Sequence, residues 1–334
     1  MLYSSQIMKG ILNPMKRTFT YQITSADAGH NIEYFLKEQG FSNQNIIDLK
    51  KMPESILVNG VWKHVNYSLQ PLDTLKVCMK ETASSQKIVP VELPLDIIYE
   101  DEDLLVVNKP ADMPIHPSMG NYENTLANAV AWYYHKQNIP FVFRCINRLD
   151  RNTSGLTIIA KHMVSANILS RMVAEREIHR EYLAIVQDKY LPDMGIVYAP
   201  IGRKEGSTIE RTIDFINGDR AITQYQVLGR ENGYAFVSLK LETGRTHQIR
   251  VHMKYMKCPL VGDSLYNSKE SSYVATLSDV SQDTRILKRQ ALHSAKLEFI
   301  HPLTKKPLCF TQKLPDDMTN FLIKNMSFTY EEFQ

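Results

Sequence analysis

The sequence predicts an α+β protein in which a mixed, mainly antiparallel sheet with flanking helices follows a small helix-helix-hairpin unit. Three observations carry this expectation. Stretches of β-branched and aromatic residues outnumber stretches with helical period, Asn59-Gly60 sits between apolar residues as a tight hairpin requires, and residues 82–92 form a polar break between two patterned regions. A doubly wound parallel sheet would need a regular alternation of strands and helices, which the chain lacks.

The elements follow in order. Residues 31–50 place Ile32, Phe35, Leu36, Ile46 and Ile47 in two groups separated by Gly40, which predicts two short helices with a glycine stop between them. Asn59-Gly60 within residues 56–62 predicts a type I′ turn, and a further strand is expected to end at Val77. Residues 81–92 turn to Thr, Ala, Ser, Gln, Lys and Pro without period, as a linker does. The expected organisation is therefore a first domain over 18–81, a linker over 82–92 and a larger domain over 93–326.

In that larger domain, Ile97-Ile98-Tyr99 and Leu104-Leu105-Val106-Val107 flank the acidic turn Glu100-Asp101-Glu102-Asp103, which predicts a hairpin. Asn124 or Thr125 can cap a helix carrying Leu126, Ala129, Val130 and Tyr133 at helical spacing. A second helix is expected over residues 164–176, with strands over 178–186 and 235–241. Residues 268–285 are polar and rich in Ser and Asp, and are expected to form a surface insert.

At 334 residues with 43% hydrophobic and 9% aromatic content, the chain can build two cores. No apolar run approaches bilayer length. Lys9, Lys16 and Arg17 interrupt the first twenty positions, which lack a secretory pattern, so a cytoplasmic location is expected. Cys78, Cys145, Cys258 and Cys309 are scattered without a C-x-x-C pair; reduced thiols and no metal site are expected. A net charge of +3 permits a nucleic-acid partner without requiring one.

Three polar clusters interrupt otherwise apolar segments of the larger domain. One runs from Asn108-Lys109-Pro110 to His116-Pro117-Ser118, the second is Asn147-Arg148-Leu149-Asp150-Arg151-Asn152-Thr153-Ser154-Gly155, and the third is Thr243-Gly244-Arg245-Thr246-His247-Gln248-Ile249-Arg250-Val251-His252. One such cluster alone would be read as a solvated turn or ion-pair network; three in one domain point to a site.

The second cluster with Leu156 resembles the R-L-D-x-x-T-S-G-L motif of the large bacterial pseudouridine synthase family, which modifies ribosomal and transfer RNA. Lys109-Pro110, His116-Pro117, Glu181-Tyr182-Leu183-Ala184, residues 243–253, Gly262-Asp263 and Leu292-His293-Ser294-Ala295 follow in the family's order, so the resemblance spans roughly residues 95–305. The helix-helix-hairpin pattern of residues 18–80 is similar to the small RNA-binding domain first described in ribosomal protein S-four.

The resemblance implies isomerisation of uridine to pseudouridine in structured RNA, without a cofactor, with ribosomal RNA of the large subunit as the first substrate and transfer RNA as the second. It makes Asp150 the essential carboxylate, acting either as nucleophile toward the sugar or as a base. An enclosed carboxylate needs a cation beside it to stay charged, and the resemblance assigns that part to Arg245, in a salt bridge with Asp150. Tyr182 is expected to stack on the uracil and assist proton removal from carbon 5. Arg148 is expected to fill the gap left by the extruded base, with His116, Thr246, His247 and Arg250 lining the cleft, although His247 and His252 fit structural roles equally. A monomer and no membrane association are expected.

One position departs from the family: Asn147 stands where many members have histidine before Arg-Leu-Asp. Asparagine keeps a neutral hydrogen bond but carries no charge. Two other readings compete. A non-catalytic RNA-binding or ribosome-assembly protein could use the same fold, and a glycosidic hydrolase would need a carboxylate pair, for which the motif offers no second acid beside Asp150. The H-E-x-x-H, P-loop, G-x-G-x-x-G and G-x-S-x-G motifs are absent.

Overall fold

The computed structural model describes residues 14–267 and 287–327, so the insert expected over 268–285 lies outside the described residues. The first part of the chain comprises β1 (Met15–Gln22), α1 (Ile32–Glu38), α2 (Asn43–Lys50), β2 (Ile56–Val58), β3 (Val61–Trp62) and β4 (Thr74–Glu81). Its strands form a four-stranded sheet in the order β1-β4-β2-β3. Each helix begins where a side chain satisfies its free N–H groups: Asn31 accepts from the Tyr34 amide, and Ser42 and Asn45 cap α2 reciprocally. Gly40, at φ +87°, ends the first helix as its position suggests. Asn59 and Gly60 both have positive φ, the geometry of a type I′ turn. β4 runs past the expected end at Val77 to Glu81, because it pairs along its whole length with β1.

The larger part contains β5 (Asp96–Glu100), β6 (Leu104–Lys109), α3 (Leu126–His135), β7 (Ser154–Ala160), α4 (Met163–Ala174), β8 (His179–Gln187) and β9 (Met194–Tyr198). There follow β10 (Ile201–Arg203), β11 (Arg211–Ile213), β12 (Ile222–Glu231), β13 (Tyr234–Leu241), α5 (Gln248–Tyr255), β14 (Leu292–Ile300), β15 (Pro307–Thr311) and α6 (Asp316–Met326). The fold is α+β, as expected. A nine-stranded sheet runs β5-β6-β7-β14-β8-β13-β12-β9, with β15 added to β14, while β10 and β11 form a separate two-stranded ribbon. Every pairing in the large sheet is antiparallel except β7 with β14.

That parallel junction is short and crowded. His293 and Ser294 pair with Ser154 and Gly155, and a Cβ added at Gly155 would stand 2.2 Å from the Ser294 carbonyl oxygen. Gly155 also has φ +110°, so both backbone conformation and space require glycine where the Arg-Leu-Asp loop enters β7. The predicted hairpin at β5 and β6 forms around the acidic turn, and Thr125 caps α3.

Residues 82–92 carry no regular element but are fastened to the larger part. Ser84 and Ser85 hydroxyls accept from the Phe141 and Phe143 amides at 3.1 and 3.0 Å, and Asn128 donates to the Val89 carbonyl at 2.7 Å. One apolar cluster runs without interruption from Leu36, Phe41 and Leu75 to Leu156, Ile168 and Leu297. Among the described residues, no helix is long and apolar enough to cross a membrane.

Candidate active site

Asp150 lies in the loop between α3 and β7, and this loop is held by buried polar groups on two sides. Asn147, 2% exposed, accepts from the Ile158 amide at 2.7 Å and donates to the Leu156 carbonyl at 3.2 Å, which ties the start of the loop to β7. On the other side Lys109, fully buried at the end of β6, donates to the carbonyls of Pro110, Met113 and Arg151 at 2.7, 2.9 and 3.0 Å. Burial pulls the Lys109 ammonium down to about 7, against the opposing charge of Asp150. The asparagine that departs from the family's histidine thus has a positioning part, met by a neutral amide.

The loop opens into a polar cleft of about 830 Å³. Asp150, Arg148, Tyr182, Arg245, Thr246 and His116 all line it, so most of the residues singled out from the sequence come together. Tyr182 projects from β8 and is 5% exposed. Burial raises its hydroxyl above the ordinary phenol range and the Asp150 charge adds to this, while Arg180 and Ser294 oppose it. His116 packs edge-on against Phe143, and burial, with Arg148 nearby, lowers its imidazole. Arg148 is exposed at the cleft and makes no ion pair with a described residue.

The cation beside Asp150 is not the one expected. Arg250, on α5, places Nη1 3.0 Å from Asp150 Oδ2, whereas Arg245 points its Nε to the Arg220 carbonyl at 3.1 Å and its Nη1 toward Asp219 at 3.7 Å. The local backbone explains the exchange. Gln248 accepts from Thr243 Oγ1 and the Arg245 amide and donates to the Ile222 carbonyl, which closes residues 243–248 into a turn and leaves Arg245 on the outer rim. Arg250, two residues into the helix, is turned inward and is 7% exposed. It therefore supports Asp150 and is too enclosed for the RNA contact expected of it.

Asp263 completes the arrangement. Its carboxylate receives Arg250 Nε and Nη2 at 2.7 and 2.8 Å and also accepts from the Leu265 and Tyr266 amides. The Arg250 guanidinium loses solvation by burial, but the bonds to Asp263 and Asp150 more than offset this and raise it above its usual range. Its ring-facing side lies over Tyr266, 4.9 Å from the centroid, and Tyr266 in turn bonds His247 Nδ1 at 2.8 Å. His247 Nε2 stands 3.9 Å from Asp150 Oδ2. His252 is a satisfied core histidine between Thr223 and the Ala199 carbonyl.

Sequence reading missed the parts played by Asp263 and Tyr266; Gly262-Asp263 was visible only as a motif. Asp263 is a second carboxylate near Asp150, but all its acceptor capacity is directed into the protein, so the pair has no open geometry for a water between acids. A separate trio, Asp101, Asp103 and His301, brings potential metal-ligand atoms within 4.8 Å of one another. Those atoms are engaged by Tyr99, Arg17, His162 and backbone amides, as in an ion-pair network.

Comparison with known proteins shows the family. Residues 103–255 match the sequence model of the RNA pseudouridylate synthase family. An uncharacterised RNA pseudouridine synthase of Bacillus subtilis (strain 168) is 36% identical over 291 residues, covering 87% of this chain and 98% of the relative. The ribosomal large subunit pseudouridine synthase D of Vibrio cholerae serotype O1 is 37% identical over 247 residues, covering 73% of this chain and 74% of the relative. Among solved structures, human RNA pseudouridylate synthase domain containing 4 superposes with a TM-score of 0.53 at 25% identity, covering 68% of this chain and 91% of that one. Human RNA pseudouridylate synthase domain containing 1 gives 0.51 at 26% identity, covering 66% and 83%.

Proposed function

The chain belongs to the RNA pseudouridine synthase family and isomerises uridine to pseudouridine in RNA, and from that premise we propose that Asp150 is its essential carboxylate and large-subunit ribosomal RNA its first substrate, with transfer RNA second. The observation that carries the assignment is the Asp150 carboxylate at the cleft, bonded through Oδ2 to the buried Arg250, with buried Tyr182 lining the same space. The similarity to ribosomal large subunit pseudouridine synthases supports the choice of RNA.

The reaction breaks the bond between ribose C1′ and uracil N1, turns the base and joins C1′ to C5. Asp150 engages the sugar, as nucleophile at C1′ or as base toward a ribose proton; Arg250 holds one of its oxygens and leaves the other to the substrate. Tyr182 supports the uracil ring while it turns and assists loss of the C5 proton. Arg148, exposed at the cleft, occupies the space that the extruded nucleotide leaves in the RNA, and His116 and Thr246 line the entrance. His247 orders the floor through Tyr266. Arg245, placed at the rim, contacts RNA and does not neutralise Asp150.

Residues 18–81 serve in this reading as an S-four-like RNA-binding domain, joined by residues 82–92 to a catalytic domain over 93–326, and the protein acts as a monomer in the cytoplasm. The helix-helix-hairpin order of α1, α2, β2 and β3 supports the first assignment.

The test is tritium release from RNA labelled at carbon 5 of uridine, comparing the native protein with Asp150→Asn on ribosomal and transfer RNA pools. Release is expected from ribosomal RNA with the native protein, falling by on the order of 10³-fold or more in the variant while RNA binding persists. Equal release by the variant would remove Asp150 from its role, and release from transfer RNA alone would reverse the substrate order.

A further inference from the structure

The reaction just described gives no part to Arg180, which lines the cleft beside Tyr182. Arg180 stands two positions before Tyr182 on β8, so strand alternation sends both side chains to one face. Glu181 between them turns the other way, accepting from Ser238 Oγ at 2.8 Å with Lys240 Nζ 3.7 Å away. Arg180 is 8% exposed. Among the described residues no carboxylate is in ion-pair distance of it, and its Nε has no hydrogen-bond partner.

A buried guanidinium without an anion is costly, and folded proteins rarely leave one so. The cleft's own carboxylates do not serve it. Asp150 is engaged by Arg250, and Glu242 by Arg176 at 3.4 Å and Gln224 at 2.9 Å. The space before the guanidinium is kept open by the residue that faces it: a Cβ on Gly244 would stand 3.1 Å from Arg180 Nη1 and 3.7 Å from Nη2. Gly244 opens the turn that carries Arg245, so the two guanidinium groups border the same space.

The substrate supplies one kind of anion. Uracil and ribose are neutral, whereas each RNA linkage carries a charged phosphodiester whose paired oxygens suit the planar fork of an arginine. We infer that Arg180 is a phosphate site, which binds the backbone phosphodiester next to the extruded uridine at the gap left by Gly244. The target is thereby gripped as part of a polynucleotide, and the neighbouring Tyr182 is set against its base. This inference rests on the isomerase reading of the cleft.

The experiment measures tritium release and RNA affinity on large-subunit ribosomal RNA transcripts for the native protein, Arg180→Met and Arg180→Lys over a range of salt. Arg180→Met should lower kcat/KM by about 10- to 100-fold and reduce the salt slope of binding by about one, while Arg180→Lys recovers part of both. In a short RNA spanning the modified uridine, a neutral methylphosphonate at the adjoining linkage should reproduce the loss with the native protein and add nothing with Arg180→Met.

An unchanged salt slope, or a methylphosphonate penalty that multiplies with the variant at both the 5′ and the 3′ linkage, would overturn the assignment and leave Arg180 as a contact to the uracil or a packing group. Should Arg180→Met fail to fold, Gly244→Ala keeps the arginine and fills the space before it; the same loss is then expected, and its absence would count against the site. A native protein that binds RNA without releasing tritium would sink the isomerase reading instead, and the salt slopes would still decide the arginine.

Discussion

Arg250 sits between two carboxylates, of which Asp150 faces the cleft and Asp263 faces the core. The Asp263 side chain is fully buried, so removing the guanidinium would leave it without its counter-charge. Arg250→Met is therefore expected to destabilise the protein by about 3–5 kcal/mol and to abolish tritium release. Arg245→Ala removes an exposed side chain held by one hydrogen bond to the Arg220 carbonyl and a long contact to Asp219, and should cost no more than about 1 kcal/mol while weakening RNA binding. Urea unfolding of the two variants measures the difference, and equal losses would refute the division of labour. At this scale the sequence made Asp150, Tyr182 and Arg148 legible as site candidates, because they stand in a motif. It assigned the ion pair to Arg245 and left Arg250 to line the cleft, since both lie in one short polar stretch and nothing local tells which one reaches Asp150. Which of them turns inward depends on the Gln248 hydrogen bonds and the start of α5, and a charged residue on a short helix is ordinarily expected to face solvent.

The active-site loop depends on the ends of two strands, β6 and β7, and Lys109 connects them through three carbonyls. Its ammonium, held by burial at about 7 against an ordinary value of 10.5, gives the loop a pH dependence with a definite sign. Between those values the unfolded chain holds a proton that the folded protein has released, so Lys109's contribution to stability rises with pH across the window. It falls again as pH drops toward 7, where the buried group must carry its charge. Relative to Lys109→Met, the native protein should therefore gain stability from pH 7 to pH 10, measured as the difference in urea midpoints; a constant difference would show that the lysine keeps its proton throughout. Local elements such as the β2–β3 hairpin, α3 and α4 were legible because caps, turn residues and periodicity are local signals. The parallel pairing of β7 with β14 was not, because the chain returns from more than a hundred residues away, and only the strict need for glycine at position 155 records the contact in sequence.

At the scale of the whole molecule, the polar break over 82–92 suggests two independent halves, yet the packing joins them. The main apolar cluster includes residues from both sheets, and Gly40 is so close to Ile168 that a Cβ there would meet its Cγ1 at 2.6 Å. Polar bonds follow the same seam: Asn167 donates to the Gly40 carbonyl at 2.8 Å, the Met163 amide to Glu81 at 2.8 Å, and Arg17 to both oxygens of Asp103 at 2.6 and 3.1 Å. Asp103 also bonds His162 at 2.9 Å and is 2% exposed, so Arg17 supplies the charge that its burial requires. Composition reports only that a segment is polar; whether it separates two bodies depends on apolar faces elsewhere in the chain, which composition does not record. Two consequences follow. Heating should unfold both sheets in one calorimetric transition, because neither can lose its neighbour without exposing the shared cluster. Arg17→Ala should lower stability by about 1.5–3 kcal/mol by leaving Asp103 with His162 as its remaining side-chain hydrogen-bond partner and His301 at 3.9 Å. Two resolved transitions in the native protein, or an Arg17→Ala variant as stable as the native one, would mean that the N-terminal sheet rests on the larger part without sharing its core, free to reorient when RNA is bound.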